Sequence, residues 1–300
     1  MEFFTHNTNI NFMAQRKWTF LFSAFILVFS IGSVLIKGLN LGLDFTGGVQ
    51  LELRYDYPPD YDQIRHQLKK VDLEEAIVNS YGSSRDVVVK AKLHKGMTQK
   101  QLTDKVLGAL SEAKLHRAEM IGAQIGKALA SDGILAILIA LLGIMIYIAF
   151  RFEYRFALSA AISLIHDPLL VVGIFSFFQI EFDMITLAAI LTVIGYSLND
   201  TIVVYDRVRE NFRKIRKAST EEILNSSINQ TLSRTIMISG LTFSIVTALL
   251  VFGGRMLMGF SLAMMIGIAI GTYSSIYIAG SLSMLFGLER KHLLGEETRV

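Results

Sequence analysis

Long apolar runs alternate with a single extended polar stretch, and that pattern sets the expected architecture. A helix crossing a hydrocarbon core about 30 Å thick needs roughly 20 apolar residues. The first such run is Trp18–Ile36, preceded by Arg16 and Lys17. It is longer than the apolar core of a signal peptide, about 7–15 residues, and no Ala-x-Ala-like cleavage site follows it, so a retained span is expected. Five more spans are predicted at Gly133–Phe150, Phe156–Phe178, Met184–Tyr205, Thr235–Phe252 and Phe260–Phe286, the last needing tilt or a kink. Six spans put both termini on one side of a membrane.

Lys37–Lys127 is then a sizeable domain on the other side. Val49–Tyr55 alternates like a half-buried strand, and Tyr57-Pro58-Pro59-Asp60 turns into a helical pattern through Lys70. Glu75–Tyr81 and Asp86–Leu93 read as strands joined by Gly82-Ser83-Ser84. Thr98–Ala113 is helical, with Leu102, Val106, Leu107 and Leu110 on one face. Arg117–Ile125 completes the order β-α-β-β-α-β, that of a ferredoxin-like α/β domain. His66, His94 and His116 fall here at no metal-binding spacing and read as solvated surface histidines.

The expected layout is an N-terminal tail at 1–17, a first span at 18–36 and an extracytoplasmic domain at 37–130. A five-helix region at 131–286 follows, with a basic loop at 207–233, and a tail at 287–300. Orientation comes from the basic residues near span ends. Arg16, Lys17, Arg151, Arg155, the cluster Arg207, Arg209, Arg213, Lys214, Arg216, Lys217, and Arg290, Lys291 and Arg299 all fall on one side. The opposite short loops hold only Arg255. Both termini are therefore expected in the cytoplasm. The basic segment Arg207–Lys217, amphipathic through Phe212 and Ile215, most simply lies against anionic lipid.

Composition agrees. Charged residues make up 18% of the 300 and hydrophobic ones 52%, with a mean hydropathy of +0.47; soluble chains carry about 25% charged residues. The net charge of +3 gives no polybasic footprint for nucleic acid. The absence of cysteine excludes disulfide scaffolds, thiol nucleophiles and Cys-ligated metals. No cofactor motif, nucleophile elbow or paired metal motif occurs, so an enzyme is not expected.

Ionisable groups at membrane depth cost about 2.5–3.5 kcal/mol each on insertion scales and mark candidate sites. The third span carries His166-Asp167-Pro168, and Pro168 frees a carbonyl beside the acid. Adjacent helical residues diverge by about 100°, so His166 and Asp167 are not expected to line one path. In the fourth span Asp200 follows Asn199, and Thr192, Tyr196, Asn199 and Val203 form a mostly polar stripe. Asp200 reads three ways: a hydrogen-bonded structural carboxylate, a cation ligand aided by Asn199, Ser197 and Thr201, or a proton-exchanging group. Arg234, just before the fifth span, is either an interfacial arginine or the partner of Asp200 across a loop of about 30 residues. In the last span, Gly267 and Gly271 stand at a small-xxx-small spacing that suits close helix packing.

Several motifs occur in a fixed order. Gly42-Leu43-Asp44-Phe45-Thr46-Gly47-Gly48 follows the first span; then come His166-Asp167, Gly195–Val204, Asp206–Asn211 and Arg234-Thr235. Together they resemble the SecF family, the smaller membrane subunits of bacterial SecDF protein-export complexes, in the resistance–nodulation–division superfamily. Only residues 1–13 and the tail after Arg290 contribute nothing to the resemblance. It implies one six-helix half paired with a pseudo-symmetric SecD half in the bacterial inner membrane. The implied function is help to the Sec translocon in moving unfolded polypeptide, driven by the proton gradient. Residue by residue, it implies that Asp200 is the protonatable acid, Arg234 its partner and Asn199 a neighbour. It also implies that His166 and Asp167 form a second polar site, and that Gly42, Asp44, Gly47 and Gly48 form a hinge into the outer domain. A passive scaffold and a sodium-driven machine remain open.

Overall fold

The computed structural model describes residues 8–81, 83–92 and 97–290. His94 and the tail from 291 lie outside them. Two separate hydrophobic cores form, one inside a helical bundle and one beneath a sheet. In chain order the elements are α1 (Arg16–Lys37), a short α2 (Leu43–Thr46), β1 (Gly48–Arg54), α3 (Tyr61–Lys69), β2 (Ile77–Tyr81), β3 (Ser83–Lys92), α4 (Gln99–Ala109) and β4 (Lys114–Ile121). Then follow α5 (Ala123–Arg151), α6 (Tyr154–Phe178), α7 (Met184–Lys214), α8 (Thr220–Phe252), α9 (Met258–Tyr273), a π-helical turn (Ser274–Ile278) and α10 (Ala279–Leu285).

The sheet runs β2-β3-β1-β4, antiparallel throughout. With a helix after β1 and another after β3, this is the ferredoxin-like topology that the sequence order predicts. The alternation along β1 buries Val49, Leu51 and Leu53 on the same face as Val87, Val89 and Ala91 of β3. Ile64 and Leu68 of α3, with Leu102 and Val106 of α4, cover that face. Asp60 caps α3 through the Asp62 N–H, and a Thr98–Gln101 capping box starts α4. The last strand begins earlier than its hydropathy suggests, at Lys114. A register shift opposite Glu52/Leu53 absorbs the exposed His116. Helix α5 then starts at Ala123 rather than at 131, because nothing after Gly122 breaks it.

Six helical stretches among the described residues are long and apolar enough to cross a membrane. Trp18, Leu35, Phe150 and Phe252 point outward, 76% to 90% exposed. Helix α1 lies along α6, where Ser30 meets Gly173 so closely that no Cβ fits there. The α7–α9 contact is the most extensive between helices. A Cβ at Gly267 would stand 2.6 Å from Val193 Cγ1, and one at Gly271 would stand 3.0 Å from Ser197 Cβ. Small residues thus let α9 press its backbone against α7.

The expected basic loop at 207–233 is instead the tip of a helical hairpin. Helix α7 runs through Lys214, α8 starts at Thr220, and only 215–219 link them. Hydropathy loses the helix here because the chain has left the apolar zone, yet local pairing sustains it. Glu210 takes Arg207 at 2.7 Å and Lys214 at 2.5 Å, and a Ser219–Glu222 capping box opens α8. Phe212 does not lie on lipid either: it is 1% exposed and belongs to the bundle core.

Gly267→Val should overpack the α7–α9 contact and cost about 1–3 kcal/mol. Thermal unfolding of the detergent-solubilised protein should show a lowered midpoint, whereas Gly143→Val, where nothing lies within 4 Å, should leave it unchanged.

Candidate functional site: carboxylates between the helices

The α7–α8 hairpin sets the relation between the two main candidate residues. Asp200 and Arg234 each lie 17 residues from Lys217, in the middle of the five-residue link, so two antiparallel helices bring them to the same level. Asp200 is 3% exposed, and its Oδ2 has no hydrogen-bond partner among the described residues. Arg234 acts on it electrostatically from α8, and Ser239 faces it from one turn further along. Ser239 is itself held: its Oγ lies 2.9 Å from Thr272 Oγ1 of α9 and accepts a hydrogen bond from the Tyr196 hydroxyl at 3.3 Å. Asn199 stands apart from this group, exposed on the neighbouring flank of α7, as Thr192 is.

The second polar site corrects an expectation. His166 and Asp167 do sit on one path, because each reaches a different neighbouring helix while they bond sideways to each other. His166 Nδ1 lies 2.8 Å from Asp167 Oδ1. The other ring nitrogen meets the Ser23 hydroxyl of α1, and Ser197 of α7 donates to Asp167 Oδ2. A buried chain Ser23–His166–Asp167–Ser197 therefore crosses the bundle from α1 to α7. It does not include Asp200, which lies three residues beyond Ser197 and faces α8.

Further hydroxyls complete this polar seam. Ser163 pairs with Ser274, Thr201 lies 2.9 Å from Ser275, and Ser159 lies 2.6 Å from the Tyr205 hydroxyl, which donates to the Ala279 carbonyl at 3.1 Å. The π-helical turn places Ser274 and Ser275 side by side against α6 and α7; single π-turns in helices often mark functional sites. Sequence reading missed these serines. Their signal was the helical spacing of Ser159, Ser163 and the His166-Asp167 pair on α6, and of Ser23, Ser30 and Ser33 on α1.

The glycine-rich segment after α1 lies at the sheet end of the bundle. Asp44 Oδ2 accepts the Met184 N–H at 2.9 Å, so this acid helps to cap α7, beside Asp183, which accepts from Thr186 at 2.8 Å. Gly42 N–H donates to the Phe182 carbonyl at 2.9 Å, and Phe182 N–H to the Asn40 carbonyl at 2.8 Å. Gly47 has φ +73°, and a Cβ on Gly48, at φ +155°, would strike the Ala91 carbonyl. The Lys90–Glu181 ion pair at 2.9 Å ties β3 to the same α6–α7 link. The segment is thus a latched joint between sheet and bundle, beside a cleft of about 530 Å³ lined by Gln50, Asn79, Lys90, Glu181, Arg255 and Met258.

A six-helix membrane bundle with an inserted ferredoxin-like domain, a glycine-rich joint and a buried acid on its fourth span defines a class of multi-pass transport protein. Known proteins narrow it further. Residues 101–289 match the family described as "Protein export membrane protein SecD/SecF, C-terminal", and residues 32–56 match the "SecD/SecF GG Motif". The chain is 46% identical to the protein translocase subunit SecF of Pseudomonas aeruginosa, over 97% of this chain and 95% of that one. It is 43% identical to the Vibrio alginolyticus SecF over 95% and 92%. A crystal structure of SecDF from Thermus thermophilus, a translocon-associated membrane protein, superposes with a TM-score of 0.80 at 35% identity. That match covers 94% of this chain but only 39% of the SecDF chain. A super-membrane-facing form of SecDF matches at a TM-score of 0.74. The chain belongs to the SecF family of protein translocase subunits.

Asp44→Ala removes an acceptor from the start of α7 and should cost about 0.5–2 kcal/mol locally. Hydrogen exchange of the Met184 amide should speed up, and Asp44→Asn, which keeps an acceptor oxygen, should exchange more slowly than the alanine variant.

Proposed function

We propose that the chain works as the SecF half of a SecDF complex in the bacterial inner membrane, within the resistance–nodulation–division superfamily. There it helps the Sec translocon move unfolded polypeptide outward at the expense of the proton gradient. Both termini face the cytoplasm, and the sheet domain faces outward. Its partners are SecD, the translocon, the moving polypeptide and the surrounding lipid. The names of the relatives support the translocation role, and the SecDF chain, of which this one spans 39%, supports a second half beside the exposed flanks of α7 and α8.

One observation carries the proton reading: Asp200 Oδ2 is buried without a hydrogen bond, opposite an arginine that does not close on it. A buried carboxylate that has Ser239 near it but one oxygen left without a hydrogen bond is costly, and taking up a proton lowers the cost. Drawing in the guanidinium removes it differently, by favouring the charged form. A side chain with these two resolutions switches as protons arrive and leave, and α8 moves with it. The latched joint at Gly42–Gly48 is where such movement reaches the sheet domain. A proton falling through 100 mV delivers about 2.3 kcal/mol, which biases a two-state movement about fiftyfold. Sodium is disfavoured because Ser197 and Thr201, two of its candidate ligands, are turned into bonds with Asp167 and Ser275.

Asp200→Asn, assembled into the complete complex in membrane vesicles, should lose the gradient-dependent part of export, up to about fiftyfold at 100 mV. Arg234→Gln should do the same, with assembly unchanged in both. Normal gradient-driven export by the Asp200→Asn complex would leave only the scaffold role. Export that follows an imposed sodium gradient and ignores a proton gradient would reverse the choice of ion.

A further inference from the structure

Helix α8, which carries Arg234, is buried mainly along its first half, from Ile223 to Thr235, with Ser239 and Val246 the buried residues beyond. Past Arg234 its large apolar side chains Ile236, Met237, Leu241 and Ile245 face outward. An apolar face of this kind has no features that define register. The polar contacts of α8 are concentrated at its first turns. Asn211 of α7 donates to Ser227 at 2.8 Å and to Gln230 at 3.0 Å, which holds the hairpin to itself.

A second set ties α8 to the start of the chain. Asn229 takes Ile10 by both main-chain groups: its Oδ1 accepts the Ile10 N–H at 2.9 Å and its Nδ2 donates to the Ile10 carbonyl at 2.8 Å. Asn225 Oδ1 accepts the Met13 N–H at 2.9 Å, while its Nδ2 donates to Asn11 Oδ1 at 2.8 Å. Arg16, the first residue of α1, pairs with Glu221 at 2.5 Å. Met13 is wholly buried beside Gly280 and Ile228, and Phe12 packs edge-on against Tyr277 of the π-helical turn at 5.7 Å. Two side-chain amides that engage main chain in this way read position, since a shift of one residue breaks every bond in the set. The same shift moves Arg234 by about 1.5 Å along the axis and about 100° around it, off the face turned to Asp200.

We propose that Asn225 and Asn229 are positioning residues: by clasping residues 10–13 they keep Arg234 in step with α1, and through α1 with the Gly42–Gly48 joint to the sheet domain. The clasp rests on the proton-relay reading above. Asn211 keeps α8 in register with α7, while among the described residues the clasp, with the Arg16–Glu221 pair beside it, links α8 to the helix that leads into the outer domain. Movement at the relay reaches that domain through α1 only while the clasp holds.

The absence of native cysteine allows a reversible test. Asn11→Cys with Asn225→Cys replaces a direct side-chain contact, and it is combined with Asn229→Ala in the reconstituted complex. With the pair reduced, the gradient-dependent part of export should fall at least fivefold while gradient-independent export and assembly stay unchanged. Oxidation of the pair should restore it, a reversal that misfolding does not produce. Full gradient-driven export in the reduced state, in membranes where Asp200→Asn abolishes it, overturns the clasp and leaves the relay standing. A gradient-dependent part untouched by either change overturns both.

Discussion

Hydrocarbon offers a buried side chain no hydrogen bonds, so each polar group inside the bundle must find a protein partner or remain uncompensated. The interior of this chain follows that constraint closely. Ser23, Ser163, Ser197, Thr201 and Tyr205 all close onto a neighbouring helix, and Asp167 is satisfied from both sides, by His166 and by Ser197. Helix packing follows from these bonds and from the glycines that let backbones approach. Among the described residues, three groups in the bundle depart from the rule, the Ser261 and Ser281 hydroxyls and Asp200 Oδ2, and of these Asp200 alone is ionisable and has an arginine, Arg234, acting on it.

The two polar sites therefore differ in kind. The His166–Asp167 chain joins α1, α6 and α7, three helices that also pack extensively along their lengths, and it is fully paired. Asp200 faces α8, across the hairpin that α7 and α8 form. A fully paired network stiffens the frame it crosses. The Asp200 carboxylate has Ser239 and Arg234 near it and one oxygen, Oδ2, without a hydrogen bond. Ser197, which closes that network, and Asp200 stand three residues apart on one flank of α7, so the paired network and the unpartnered carboxylate oxygen are neighbours on a single helix.

Much of this was legible in the sequence because it rests on composition and period. The six spans, the strand order of the outer domain and the isolation of Asp200 at membrane depth all follow from hydropathy and alternation. The hairpin tip was not legible as helix. Once the chain leaves the apolar zone, Glu210, Lys214 and the Ser219–Glu222 box sustain helix without any hydropathy signal. The His166–Asp167 path was misjudged because a divergence of 100° says where two side chains start, and here each ends on a different helix. The clasp at 10–13 was invisible because asparagines on a polar helix end look like solvated surface. Their partners lie more than 200 positions away in the chain.

The wide turn at Ser274–Ile278 also changes how the final span must be described. It holds one residue more than an ordinary α-helical turn would, so everything beyond it is rotated out of phase with what comes before. Gly267 and Gly271 belong to one angular frame and Gly280 to another, and no single helical wheel places all three correctly. The last span is in effect two short rods joined with an angular offset. One is fitted to α7, and the other to Met13 and the opposite end of the bundle.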